Sequence, residues 1–201
     1  MATRLRRCLY LTGLLAILAG LAIPANAGLL TTGTASYCDP NSSLAFQPWG
    51  DKSNYMLTPG GSFEEGTPSW KLSGGAKIIS GNEPFFIHSK SDRRSLYMPA
   101  GATATTPTMC FKAGDWHMRF VGTGNGQVRV AVTVNSLLGV LSVLDGGTVS
   151  HNGTWKPSPK VSLLLTNVGG LLTTKAISLR FTATSGTTQI DDVYLDPFKD
   201  T

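Results

Sequence analysis

From Tyr55 onward the chain alternates short apolar runs with clusters of glycine, asparagine, serine and proline. Runs of that length between turn formers read as β-strands. They fall at 55–57, 70–72, 76–80, 85–88, 95–98, 108–111, 116–121, 127–134, 139–144, 161–165, 177–184 and 189–195. The alternation is cleanest in mid-chain. Trp116, Met118 and Phe120 share one face and His117 and Arg119 the other; Val128, Val130 and Val132 oppose Arg129, and further on Ile177, Leu179 and Phe181 oppose Arg180. Asn125-Gly126 is the dipeptide that a tight hairpin turn prefers, so the runs on either side of it are expected to pair antiparallel, with the next run following a turn at Asn135-Ser136. No segment keeps a long helical period free of glycine or β-branched runs. The expected fold class is therefore all-β, an antiparallel β-sandwich with almost no helix in the mature chain.

The final run, Thr188 to Phe198, carries the adjacent carboxylates Asp191 and Asp192 inside an otherwise apolar strand. Regular alternation places Asp191 with Val193 and Leu195, and Asp192 with Ile190 and Tyr194. One aspartate must then sit level with core residues, where it needs a cation or a set of donors. In the 85–88 run the same alternation turns one of Phe85 and Phe86 inward and the other outward.

Residues 1–27 change the charge picture. Arg4, Arg6 and Arg7, an apolar run from Leu9 to Ile23 and Ala25-Asn26-Ala27 have the layout of a secretory signal peptide, and the run is short for a membrane span. Its removal takes three arginines and no acids, so the net charge falls from +5 to +2. That balance gives no argument for a nucleic-acid partner. A secreted (extracellular) monomer with no membrane span is expected. Residues 28–54 lack a period and read as an irregular segment pinned to the domain, and residues 55–201 as the sandwich itself. Cys38 and Cys110 survive maturation, and in an oxidising compartment the expectation is a disulfide; two buried thiols are the alternative.

Gly60-Gly61-Ser62-Phe63-Glu64-Glu65-Gly66, followed by Trp70, resembles the opening motif of jelly-roll carbohydrate-binding modules, a galactose-binding-like fold, attached to bacterial xylanases and endoglucanases. Ile190-Asp191-Asp192-Val193-Tyr194-Leu195 resembles their closing strand. The mature chain is also similar to a group of small secreted bacterial proteins of unknown function, through Cys38-Asp39-Pro40, Pro48-Trp49-Gly50-Asp51, Asn54-Tyr55 and the ending Asp192-Val193-Tyr194-Leu195-Asp196-Pro197. The resemblance implies a jelly roll, a glycan or cell-surface polymer as partner, and a structural Ca²⁺ held by Glu64 and Asp191, with Asp192 the alternate ligand. Calcium suits such a set because it takes six to eight oxygens in irregular geometry.

For the glycan, His117, Arg119, Arg129 and Arg180 stand on strand faces away from the core pattern and could form one shallow cationic surface, with an ordinary solvated face, each arginine covering neighbouring apolar surface, as the alternative. Phe86 and Tyr97 are candidate stacking rings, with core packing the alternative for each; Trp70 and Trp155 read as core. Catalysis has little support: no nucleophile elbow and no zinc-binding His-Glu-x-x-His occur, and the three histidines lack metal-ligand spacing. A glycosidase would need Asp191 or Asp192 to converge with Glu83 on a cleft. The function expected is a non-catalytic binding module. A structural or adhesive surface protein is the second reading and a glycan-active enzyme the third.

Overall fold

The computed structural model describes residues 41–65, 70–111, 117–136, 139–163 and 175–196. Residues 1–27 and Cys38 lie outside them. Among the described residues the strands are β1 (Met56–Leu57), β2 (Lys71–Ser73), β3 (Lys77–Ser80), β4 (Arg94–Pro99), β5 (Thr103–Thr105), β6 (Met109–Phe111), β7 (His117–Gly124), β8 (Gln127–Ser136), β9 (Gly139–Ser150), β10 (Lys156–Pro157), β11 (Val161–Ser162), β12 (Lys175–Ser185) and β13 (Thr187–Leu195). The helical content of these residues is one 3-10 turn, Gln47–Trp49, and no helix among them is long and apolar enough to cross a membrane. Two antiparallel sheets face each other. The first runs β10-β7-β13-β4-β3, with β1 on β13 and β11 on β7; the second runs β2-β5-β12-β8-β9, with β6 on β12.

The Asn125-Gly126 turn does not close a hairpin, contrary to the sequence expectation. It carries the chain from β7 in the first sheet to β8 in the second. Gly186 does the reverse between β12 and β13, and the two corners clasp one another. Asn125 Oδ1 accepts from Thr187 N at 3.1 Å and Thr187 Oγ1 at 3.0 Å, and Asn125 N donates to the Thr187 carbonyl at 3.0 Å. A Cβ on Gly126 would stand 2.1 Å from the Ser185 carbonyl, so only glycine allows the approach. Two strands with one apolar face each can lie side by side or face to face, and the period alone does not distinguish these. The β8–β9 pair is a true hairpin, with Ser136 opposite Gly139.

The core lies between the sheets. Leu96, Met98, Phe120, Ile190 and Val193 from the first meet Val130, Val132, Leu179 and Phe181 from the second, all fully buried. Each such side chain contributes about 1.5–3 kcal/mol by leaving water. Trp70 packs on Phe181, with ring centroids 5.7 Å apart, and its Nε1 donates to the Pro59 carbonyl at 2.7 Å.

A second cluster, Phe46, Tyr55, Val121 and Tyr194, sits on the outer side of the first sheet, with Ile87 and Trp155 packed against it. The segment before β1 therefore covers this face. Ser43 and Tyr55 exchange backbone hydrogen bonds at 2.8 Å, and Phe46 is fully buried.

His151 is buried against the same sheet, over Gly122, where a Cβ would lie 2.2 Å from its Cε1. Neither ring nitrogen has a hydrogen-bond partner. Burial, reinforced by the nearby Lys156 charge, pushes the imidazole down to about 4 from its ordinary 6.5. The unfolded chain thus takes up a proton between those values that the folded one refuses. Stability is complete above about pH 6.5 and falls as pH drops, by about 3 kcal/mol at pH 4. In urea melts at pH 7 and pH 4, His151→Gln should lose that part of the acid destabilisation; an unchanged difference between the two pH values would contradict it.

Candidate functional site

The four cationic candidates do not form one surface. His117 and Arg119 belong to β7, whereas Arg129 and Arg180 belong to β8 and β12 of the other sheet. His117 and Arg119 are also buried, which corrects the expectation of a solvent-facing strand side. Arg119 Nη1 donates to Asp51 Oδ2 at 2.8 Å, its Nε to the Ser158 carbonyl at 2.9 Å, and the guanidinium lies 4.5 Å from the Phe46 ring centroid. His117 Nε2 lies 3.5 Å from Asp196 Oδ2. Arginine suits this role because its flat fork can satisfy several acceptors while stacking on a ring. Arg129 and Arg180 do share the exposed face of the second sheet, amid Ser73, Thr103, Thr105 and Thr182 on neighbouring strands. Arg129 is engaged there by Asp145 through two contacts of 3.1 and 2.9 Å.

The closing strand breaks its own alternation. Ile190, Val193 and Leu195 enter the core, and Tyr194 joins the outer cluster. Two residues, Asp191 and Asp192, thus lie between consecutive inward positions. The pairing with β7 shifts register there, and Asp192 has φ of +47°. This is a β-bulge, the device by which a strand re-aims a side chain. It keeps both carboxylates out of the core, where strict alternation would have placed one. Gly61 accepts from the amide of Val193 at 3.1 Å, and the Val193 carbonyl accepts from Thr58 N at 2.9 Å, so the kinked backbone stays satisfied.

Around this bulge wraps the loop from Gly81 to Arg93. Asp191 Oδ2 accepts from Glu83 N at 3.2 Å, Asp192 Oδ2 from His88 N at 3.0 Å, and the Glu83 carboxylate from the amides of Phe85 and Ile87. Asp92 Oδ2 lies 2.8 Å from His88 Nδ1. These bonds explain why 85–88 is not a strand: its amides go to carboxylates rather than to a neighbouring ladder. Glu83, Asp92, Asp191 and Asp192 are all buried, and among the described residues no lysine or arginine forms an ion pair with any of them. Burial, followed by the neighbouring carboxylates, pushes Asp191 and Asp192 well above the usual carboxylate range.

The loop presents two aromatic rings to water. Phe85 is 41% and Phe86 42% exposed, so the expectation that one would turn inward fails. The reason is local: Phe86 has φ of +53°, which ends the extended alternation. Trp49, 38% exposed, meets Phe85 edge-on with centroids 5.1 Å apart, and packs on buried Phe46 at 6.2 Å. The aromatic edge Trp49–Phe85–Phe86 is thus assembled from the segment before β1 and the carboxylate-held loop. The sequence offered Phe86 and not Trp49 as a candidate stacking ring, although Pro48-Trp49-Gly50-Asp51 already stood out as a motif. Tyr97 lies elsewhere, half-buried on β4 between Lys77 and Gln189, with Lys77 Nζ 5.8 Å from its ring. A cavity of about 500 Å³ runs along β3, lined by residues including Leu72, Lys77, Ile79 and Arg94, and none of the three edge aromatics borders it.

Glu64 and Asp191 have no partner in common. Glu64 Oε1 accepts from the amides of Arg93 and Arg94, each at 2.7 Å, and so pins the far end of the loop. Both oxygens of Asp191 are taken by amides, those of Glu83 and Asp192. Cys110 lies in β6, and its pairing with Cys38 falls outside the described residues.

The described residues fold as an antiparallel two-sheet β-sandwich. No protein-family model and no curated protein sequence matches it. Among solved structures it is similar to the enzymatically active domain of tailspike protein 4 of bacteriophage CBA120, with a TM-score of 0.51 and 11% identity over 71% of this chain. The match spans 21% of that longer protein. A family 61 carbohydrate-binding module in complex with β-1,4-galactotriose gives a TM-score of 0.45 at 20% identity, over 72% of this chain and 98% of the module. A xylan-binding domain from Paenibacillus barcinonensis gives 0.47 at 12% identity, over 69% of this chain and 98% of that one. These likenesses concern the fold, which hosts binding and catalysis alike.

Proposed function

We propose that the chain is an exported, non-catalytic binding domain whose aromatic edge, Trp49, Phe85 and Phe86, stacks on the sugar rings of a glycan. The observation that supports this reading is the exposure of three large rings, Phe85 and Phe86 on the carboxylate-held loop and Trp49 of the segment before β1 edge-on against Phe85. Rings held in water by a costly local structure mark a contact surface. Flat rings with polar neighbours suit sugars, which present an apolar face and a rim of hydroxyls. Exposed Gln47 and Lys52 flank Trp49 in the chain, and His88 and Lys90 follow the two phenylalanines. The sequence resemblance of 60–70 and 190–195 to glycan-binding modules points the same way.

A glycosidase reading is disfavoured by burial. Glu83, Asp191 and Asp192, the acids it would need, are near one another but 0% exposed and bonded to backbone amides, so they cannot flank a sugar in a cleft. Affinity electrophoresis of the mature protein against a panel of polysaccharides should show retarded migration on at least one, with no reducing sugar released. No retardation on any member would remove the glycan proposal in favour of a protein-contact role, and released sugar would make the protein an enzyme.

A further inference from the structure

We propose that β3 is a docking edge: it accepts an extended peptide as one more antiparallel strand, selecting an acidic residue, two apolar residues and a second acidic residue. β3 ends its sheet, and among the described residues it pairs with β4 alone. An antiparallel ladder bonds every second residue, and Gly81 N donates to the Arg93 carbonyl at 2.7 Å. In the same register Ile79 and Lys77 direct their backbone groups to Ser95 and Tyr97. The N–H and C=O of Ile78 and Ser80 therefore point away from β4, and such a row is the template on which a strand adds.

The cavity of about 500 Å³ lies along this strand. Its apolar wall is Leu72 of β2 with Ala76 and Ile78, all partly buried against the core, and Arg94 lines it as well. An added strand sends alternate side chains to either face. Opposite Ile78, an apolar side chain enters the cavity and meets Leu72 and Ala76. Opposite Ser80, a carboxylate stands level with Arg94, which pairs with Ser80 across the ladder and can reach past its short side chain. On the outer face, Ile79 offers an aliphatic neighbour and Lys77 an ammonium. Lys77 and Arg94 are exposed, and among the described residues neither forms an ion pair. These charges select the occupant. A second copy docked on the same edge would bring two sets of Lys77 and Arg94 together, whereas an acidic strand complements them. The site is independent of whatever the aromatic edge binds.

Fluorescence anisotropy of the labelled peptide acetyl-Thr-Glu-Val-Val-Glu-Thr-amide against the mature protein tests this. In the antiparallel register its first glutamate faces Ser80 and its second valine faces Ile78. Saturable binding is expected, weakened by salt and about threefold by Arg94→Ala. Methylating the backbone nitrogen of the second valine removes a bond to β3 and should weaken binding about tenfold or more. The same methyl on the first valine points away from β3 and should leave affinity unchanged. A peptide with lysine in place of both glutamates should not bind. No binding of the glutamate peptide, equal affinities of the two methylated forms, or equal binding of the lysine peptide would overturn the proposal. A protein that sediments as a dimer and takes no peptide would assign the edge to a second copy and overturn it as well.

Discussion

Asp51→Ala should destabilise the fold by about 3–5 kcal/mol, the penalty for leaving a buried charge without its partner. The carboxylate accepts from the Tyr55 hydroxyl at 2.7 Å, Arg119 Nη1 at 2.8 Å and Ser53 N at 3.1 Å, with Lys160 Nζ at 3.2 Å. Burial alone would raise its pKa. The Tyr55 hydroxyl, the Ser53 amide, Arg119 and Lys160 outweigh that and hold it well below the usual carboxylate range. Its contribution is therefore complete above about pH 4 and drains away only in stronger acid. Without Asp51, Arg119 keeps a charge, 9% exposed, under the Phe46 ring with only the Ser158 carbonyl to accept from it. Replacing both, as Asp51→Leu with Arg119→Met, should cost less than the two single changes together, because the pair is removed as a unit. Chemical melts of the four proteins measure this. Arg129→Ala, which breaks an exposed pair with Asp145, should leave the midpoint unchanged. If Asp51→Ala behaves like Arg129→Ala, the segment before β1 is not an integral part of the domain.

The second large effect concerns binding. Trp49→Ala should weaken affinity for a glycan ligand about thirty-fold, or about 2 kcal/mol, the scale of an aromatic anchor at an interface centre. Phe86→Ala should act in the same direction. Because 38% of Trp49 faces water, its loss should cost the fold far less than it costs the ligand, and equal melting curves beside unequal isotherms would separate the two. Loss of folding together with binding would make the ring a structural one.

How far these features could be read in advance depends on what the two-residue period reports. It shows that a strand has an apolar face, and the core positions Phe120, Val130, Leu179 and Phe181 followed from it directly. It does not show what covers the opposite face. Arg119 looked solvent-facing because nothing in 116–121 reveals that Phe46 and Asp51, some seventy residues earlier, close over it. Nor does the period survive a bulge: Asp191 and Asp192 were assigned to opposite faces, and one positive-φ residue put both on the same side. The loop at 85–88 looked like a strand for the same reason, since its β-like composition says nothing of distant carboxylates that take its amides. The marks that fall nearest the proposed aromatic edge were short and irregular, Pro48-Trp49-Gly50-Asp51 and Asp191-Asp192. Both lie where local rules break, and there a chain tends to place its functional surface.

The most direct test is calorimetric titration of the best-bound oligosaccharide into wild type, Trp49→Ala and Arg180→Ala. Binding that is lost with Trp49 and kept with Arg180 is the expected result. Binding that survives Trp49→Ala and disappears with Arg180→Ala would move the ligand to the exposed face of the second sheet and contradict the aromatic edge as the site.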